Sequence, residues 1–156
     1  MKTASMIQLT VLLSMMLGRA ASRVLQRKPK GTFANFTVMN EKSVSDNGLI
    51  MNAVLSWGKW QQDEEDVTTI NHIGFDSGRA ANFTASGRDG SPTGAEGTFE
   101  IHEGGKKIAV VEFNIPFWGK NEFSIREVDG QYVCKQRGFT TDRSPTIIIK
   151  CRKISS

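Results

Sequence analysis

The sequence predicts an all-β fold: a single antiparallel β-sandwich of about nine strands, preceded by a signal peptide. Three observations carry this. From residue 31 onward, short apolar runs alternate with clusters of turn residues, and no ten-residue stretch shows helical periodicity. Apolar residues recur at every second position, as in Phe99 and Ile101, Ile108 and Val110, or Phe123 and Ile125, which gives each strand one buried and one wet face. Glycine pairs and Asp-Gly stand where hairpins need residues tolerant of positive φ.

In chain order, the predicted strands are 35–39, 49–56, 68–75, 79–85, 97–103, 107–115, 122–128, 131–136 and 146–151. Gly104-Gly105 predicts a tight hairpin between the fifth and sixth. Asp129-Gly130 predicts another between the seventh and eighth. A set of antiparallel strands with a dozen or so inward apolar residues buries itself best as two packed sheets, with a closed barrel as the alternative.

The first 22 residues read as a signal peptide. Lys2 supplies a positive start, Met6 to Leu17 is apolar and too short to span a bilayer, and Gly18-Arg19-Ala20-Ala21-Ser22 offers small residues for cleavage. Residues 23–31 form a basic segment that reads as flexible, and 32–156 the β-sandwich domain. The product is expected to be secreted, although a short buried helix would share the same apolar pattern.

The formal charge of +4 invites a nucleic-acid reading, but its distribution argues against one. Residues 1–30 hold six bases and no acids, and the remainder carries 14 bases against 16 acids. A near-neutral domain has no field to hold a polyphosphate. In an oxidising compartment, Cys134 and Cys151 suggest one disulfide; two buried free thiols are the alternative. Asn35 and Asn82 each begin an Asn-Phe-Thr sequon, a glycosylation acceptor when exposed in a eukaryotic secretory pathway.

No catalytic residues are assigned. His72 and His102 stand outside any HExxH, and the cysteines form no CxxC, so no metal site and no cofactor are expected. By parity His102 shares a face with Glu100, as a solvated histidine would. No GxSxG elbow is present. Asp63-Glu64-Glu65-Asp66 lacks the alternating ligands and glycine of an EF-hand and reads as a solvated loop. The glycine-rich run from Gly90 to Gly97 lacks a following Lys-Ser/Thr and reads as a long turn.

A repeated tripeptide stands out: Trp57-Gly58-Lys59, extended by Trp60, and Trp118-Gly119-Lys120, preceded by Phe117. Each copy follows a strand. A ring projecting from a glycine turn suits a membrane interface, or can hold a quaternary ammonium by cation–π attraction, with lysine near a phosphate. Tryptophans that plug the ends of the sandwich core would give the same pattern, so both readings stand.

Three blocks resolve this by resemblance. Asn52-Ala-Val-Leu-Ser-Trp-Gly-Lys59, Ser86-Gly-Arg-Asp-Gly-Ser-Pro-Thr-Gly-Ala-Glu-Gly-Thr-Phe-Glu100 and Phe113-Asn-Ile-Pro-Phe-Trp-Gly-Lys120 resemble the aegerolysin family, in a match running from about Asn35 to Ile149. The resemblance implies a small non-enzymatic β-sandwich that binds membrane sphingolipids. Many relatives are haemolytic or cytolytic, often as the lipid-recognising half of a two-component pore with a perforin-like partner. It implies membrane-facing roles for Trp57 and Trp118, a headgroup lysine near Lys120, and a first-strand aromatic at Phe36. The loop glutamate by which some members recognise sphingomyelin with cholesterol falls on Thr93, and the nearest acid is Glu96. Ser86 and Ile115 replace cysteines of some relatives, and Phe117 is an extra residue between proline and tryptophan. A carbohydrate- or protein-binding sandwich without lytic activity is the alternative function.

Overall fold

Apolar side chains recur at every second position from Ala34 onward, and a strand patterned in this way has one face to hide. The computed structural model describes residues 31–41, 47–76 and 78–154. The signal peptide and the basic segment up to residue 30 lie outside them. The described residues form eleven strands and no helix. One sheet takes the order β10 (Tyr132–Arg137), β11 (Thr146–Lys153), β1 (Phe33–Asn40), β6 (Ala81–Ser86), β3 (Lys59–Gln62), β4 (Glu65–Val67). The other runs β5 (Gly74–Phe75), β2 (Gly48–Trp57), β7 (Ala95–Glu103), β8 (Lys106–Ile115), β9 (Glu122–Arg126).

The two-sheet architecture agrees with the sequence prediction; its wholly antiparallel character does not. β11 returns from its antiparallel pairing with β10 to lie parallel to β1, from Asn35 opposite Thr146 to Asn40 opposite Cys151. Other local corrections have physical causes. The strand expected over 68–75 survives only as β5, because the chain turns at His72, which has φ 69°. That turn is held by side chains: Asn71 Oδ1 accepts from the Ala53 amide, and Thr69 Oγ1 from the Asn71 amide. The acidic run lies in and beside the tight turn of a hairpin, with Asp63 and Glu64 at φ 50° and 68° between β3 and β4. Gly104 and Gly105, at φ 55° and 80°, close the β7–β8 hairpin as expected. Asp129-Gly130 closes no hairpin. β9 and β10 lie in different sheets, and Asp129 Oδ1 instead accepts from the Gln131 amide in the crossover. An extra residue in β8 opposite Ile101 and His102 turns both Ile108 and Ala109 inward and moves the buried series to Val111, Phe113 and Ile115, so Val110 does not share the buried face of Ile108.

Between the sheets lies an aromatic core. Phe36 on β1 meets Phe83, Phe99 and Phe113 at centroid distances of 5.3, 5.4 and 4.9 Å. Trp60 packs on Phe83 and Phe113, both at 5.9 Å. Such ring pairs add to the gain from area burial. Cys134 and Cys151 stand opposite each other in the β10–β11 register and form a disulfide, with Cα atoms 4.1 Å apart.

Tyr132, the sole tyrosine, ties the two sheets together through a hydrogen bond to Glu103. Burial, followed by the neighbouring Glu103 carboxylate, pushes its phenol up to about 12. Because the folded state favours the protonated ring, this stabilisation is complete below the ordinary value near 10. It is lost as pH rises from there to about 12. Ultraviolet titration of the phenolate is expected to show a midpoint near 12 in the folded protein. A midpoint near 10 with the fold intact would contradict the buried placement.

Candidate functional site

Four connections gather at one end of the sandwich, as the registers require. Trp57 on β2 lies opposite Glu96, Ala95 lies opposite Ile115, and the loop after Ile115 carries Trp118. Residues 87–94 join β6 to β7 at the same end, where Gly87 donates its amide to the Thr32 carbonyl. The loop 138–145 arrives beside them, with Phe33 donating to the Arg143 carbonyl.

The two copies of the repeated tripeptide do different structural work. Gly58 alone carries the chain from β2 in one sheet to β3 in the other, at φ 106°. A Cβ there would lie 2.5 Å from the Ser86 carbonyl oxygen, so only glycine fits this corner. Gly119 has nearly the same φ, 114°, but sits in the loop between β8 and β9 of a single sheet.

Trp57 is aimed by a bulge. Ala53 and Leu55 pack toward the core, and strict alternation would send Trp57 the same way. An extra residue between Leu55 and Trp57, relative to β7, places Trp57 opposite Glu96 on the outer face. Trp57 is 57 % exposed and Trp118 72 %. Half-buried Phe117 meets the Trp118 ring edge-on at 5.0 Å.

Four sequence-derived placements change. Phe36 and Trp60, expected to face a membrane, are core residues at 1 % and 3 % exposure, because both stand at inward positions of their strands. Lys59 is occupied: its ammonium meets Asp66 at 2.9 Å and Asp89 at 3.0 Å. The hydrogen bond to Asp66 and the pairing with Asp89 outweigh burial and raise its pKa, so it braces the corner. His102 is half-buried, bonded to Glu100 at 2.6 Å. Burial would raise the Glu100 carboxyl, but hydrogen bonds from His102 and Asn52 prevail and lower it.

The remaining candidates keep surface positions. Lys120 is exposed and makes no ion pair among the described residues. Thr93 is half-buried in the 87–94 loop with its hydroxyl turned inward. Glu96 lines a polar groove of about 320 Å³ on the outer face of the five-stranded sheet, beside Glu112, Glu122 and Arg126. Asn82 is exposed and accepts from the Thr37 hydroxyl. Asn35 is half-buried on central β1 and accepts from Thr84.

Sequence reasoning missed Arg143. Its guanidinium lies 5.2 Å from the Phe117 centroid and 5.4 Å from the Trp118 centroid. No local motif marks it, since only the packing of the 138–145 loop against residues 116–121 brings it there.

Fold and tip together define a two-sheet β-sandwich that presents aromatic side chains at one end, from the end of β2 and the loop after β8. The chain belongs to the aegerolysin family: the Aegerolysin family model matches residues 32–148. It is 32 % identical over 103 residues to Asp-hemolysin of Aspergillus fumigatus, a match covering 62 % of this chain and 74 % of that protein. Among solved structures it is similar to RahU, crystallised with a TRIS molecule, with a TM-score of 0.70 at 19 % identity, covering 80 % of this chain and 96 % of RahU. IP-1A from Alcaligenes faecalis has a TM-score of 0.67 at 20 % identity, over 80 % of this chain and 93 % of IP-1A. The lipid-binding protein Nakanori matches with a TM-score of 0.51 at 10 % identity, over 93 % of this chain and 77 % of Nakanori. At these identities the structural likenesses speak for the fold alone.

Proposed function

We propose that this protein is a secreted aegerolysin that binds membrane sphingolipids through its tryptophan-bearing end. It would act as the lipid-recognising component of a cytolytic pore completed by a perforin-like partner. The observation that carries the reading is the exposure of Trp57 and Trp118 at one end of the sandwich, one aimed outward by a bulge and the other held on a loop. Leaving two large rings in water is unfavourable, and a headgroup layer accepts both the apolar ring and its N–H. The haemolysin name of the Aspergillus relative supports a membrane target. Lys120, two positions after Trp118, supplies an exposed cation without an ion pair among the described residues, whereas Lys59, Phe36 and Trp60 are given to the scaffold.

The mature protein is expected to co-sediment with vesicles containing sphingolipid and sterol, and not with vesicles lacking sphingolipid. Absence of binding across sphingolipid mixtures, with or without sterol, would overturn the proposal. A second reading draws on the polar groove beside Trp57, whose three carboxylates and neighbouring ring could hold a sugar. Glycan-array binding without vesicle binding would favour it.

A further inference from the structure

The tip carries a cation that is built into its aromatic surface. We propose that Arg143 recognises the phosphodiester of a membrane sphingophospholipid, using a guanidinium held against the Phe117 and Trp118 rings; this rests on the lipid-binding reading above. Three features of the structure support it.

First, the group is free to bind. Arg143 is exposed and makes no ion pair among the described residues, in contrast to Lys59 with its two carboxylates. Second, it is held in place. The Asn121 amide donates to the Thr140 carbonyl at 3.1 Å and the Asp142 carbonyl at 2.6 Å, clamping the 138–145 loop onto the Trp118 loop. The amide of Phe33 donates to the Arg143 carbonyl at 3.2 Å, and both rings lie within cation–π distance of its guanidinium. A restrained planar fork loses less freedom on forming two parallel bonds to phosphate oxygens than an ammonium on a flexible stem. Third, the depth is right, because a tryptophan at the interface sits at headgroup level, which is where the phosphates lie. The domain beyond residue 30 has more acids than bases, so attraction to phosphate must come from local cations such as this one and Lys120.

The test uses vesicles with a phosphate-free matrix of digalactosyl lipid and sterol, doped with either sphingomyelin or ceramide phosphoethanolamine, or with glucosylceramide. Wild-type protein is expected to bind a sphingophospholipid more tightly than glucosylceramide. Arg143→Gln should lose about tenfold or more on the phosphate-bearing vesicles and change little on glucosylceramide. Because the side chain is exposed, its thermal unfolding should match wild type. Binding of Arg143→Gln within about twofold of wild type on the sphingophospholipid, or an equal fall on both lipid types, would overturn the assignment. Wild type that binds none of these vesicles, nor any other sphingolipid membrane, would instead remove the lipid-binding reading itself.

Discussion

Phe36→Ala is expected to destabilise the fold by about 3–5 kcal/mol, the usual cost of removing a fully buried ring. The site is unfavourable for collapse, because three rings from β6, β7 and β8 converge on Phe36 and belong to both sheets. None can fill the hole without leaving its own partners. A domain of this size is stable by roughly 5–15 kcal/mol, so the variant should lose much of its margin and unfold at markedly lower urea concentration. The prediction separates two roles for one residue. A membrane-facing Phe36 would lose vesicle binding at nearly unchanged stability; the buried Phe36 seen here should lose stability first. An unfolding free energy within about 1 kcal/mol of wild type would contradict the core placement.

The double variant Trp57→Ala/Trp118→Ala should behave in the opposite way. Both rings are more than half exposed, so thermal unfolding should stay close to wild type. Each ring transferred from water into a headgroup layer contributes about 2 kcal/mol, and rings on separate segments, the end of β2 and the β8–β9 loop, should add. Together they amount to roughly a thousandfold in affinity for sphingolipid vesicles. Each single variant should lose less than the pair, and emission from the remaining exposed tryptophan should still shift to shorter wavelength with vesicles. Unchanged binding by the folded double variant would exclude the tip as the contact surface.

These two experiments divide aromatic residues that look alike in the sequence. Trp57 and Trp60 are three positions apart, yet one is outside and the other in the core. The difference arises at Gly58, where the chain changes sheets, and at the bulge before Trp57, which reverses the facing that Leu55 predicts. Both copies of the Trp-Gly-Lys repeat lie at one end of the molecule. The repeat overstated the likeness of its two copies, because Lys59 is paired twice and Lys120 makes no ion pair among the described residues.

What the sequence by itself determined is what depends on near neighbours. The period-2 pattern set the β class and inward rows such as Phe99 and Ile101. Gly104-Gly105 set its turn because two adjacent positive φ values are a local demand. The family blocks singled out Trp57 and Trp118. Tertiary structure alone decided the parallel pairing of β1 with β11, the passage of Asp129-Gly130 between sheets, the burial of Phe36 and Trp60, and the placement of Arg143 over Phe117 and Trp118. Each of these depends on which distant segments pair and on single-residue bulges. Turning a side chain to the other face takes only one extra residue, which leaves no distinctive composition behind.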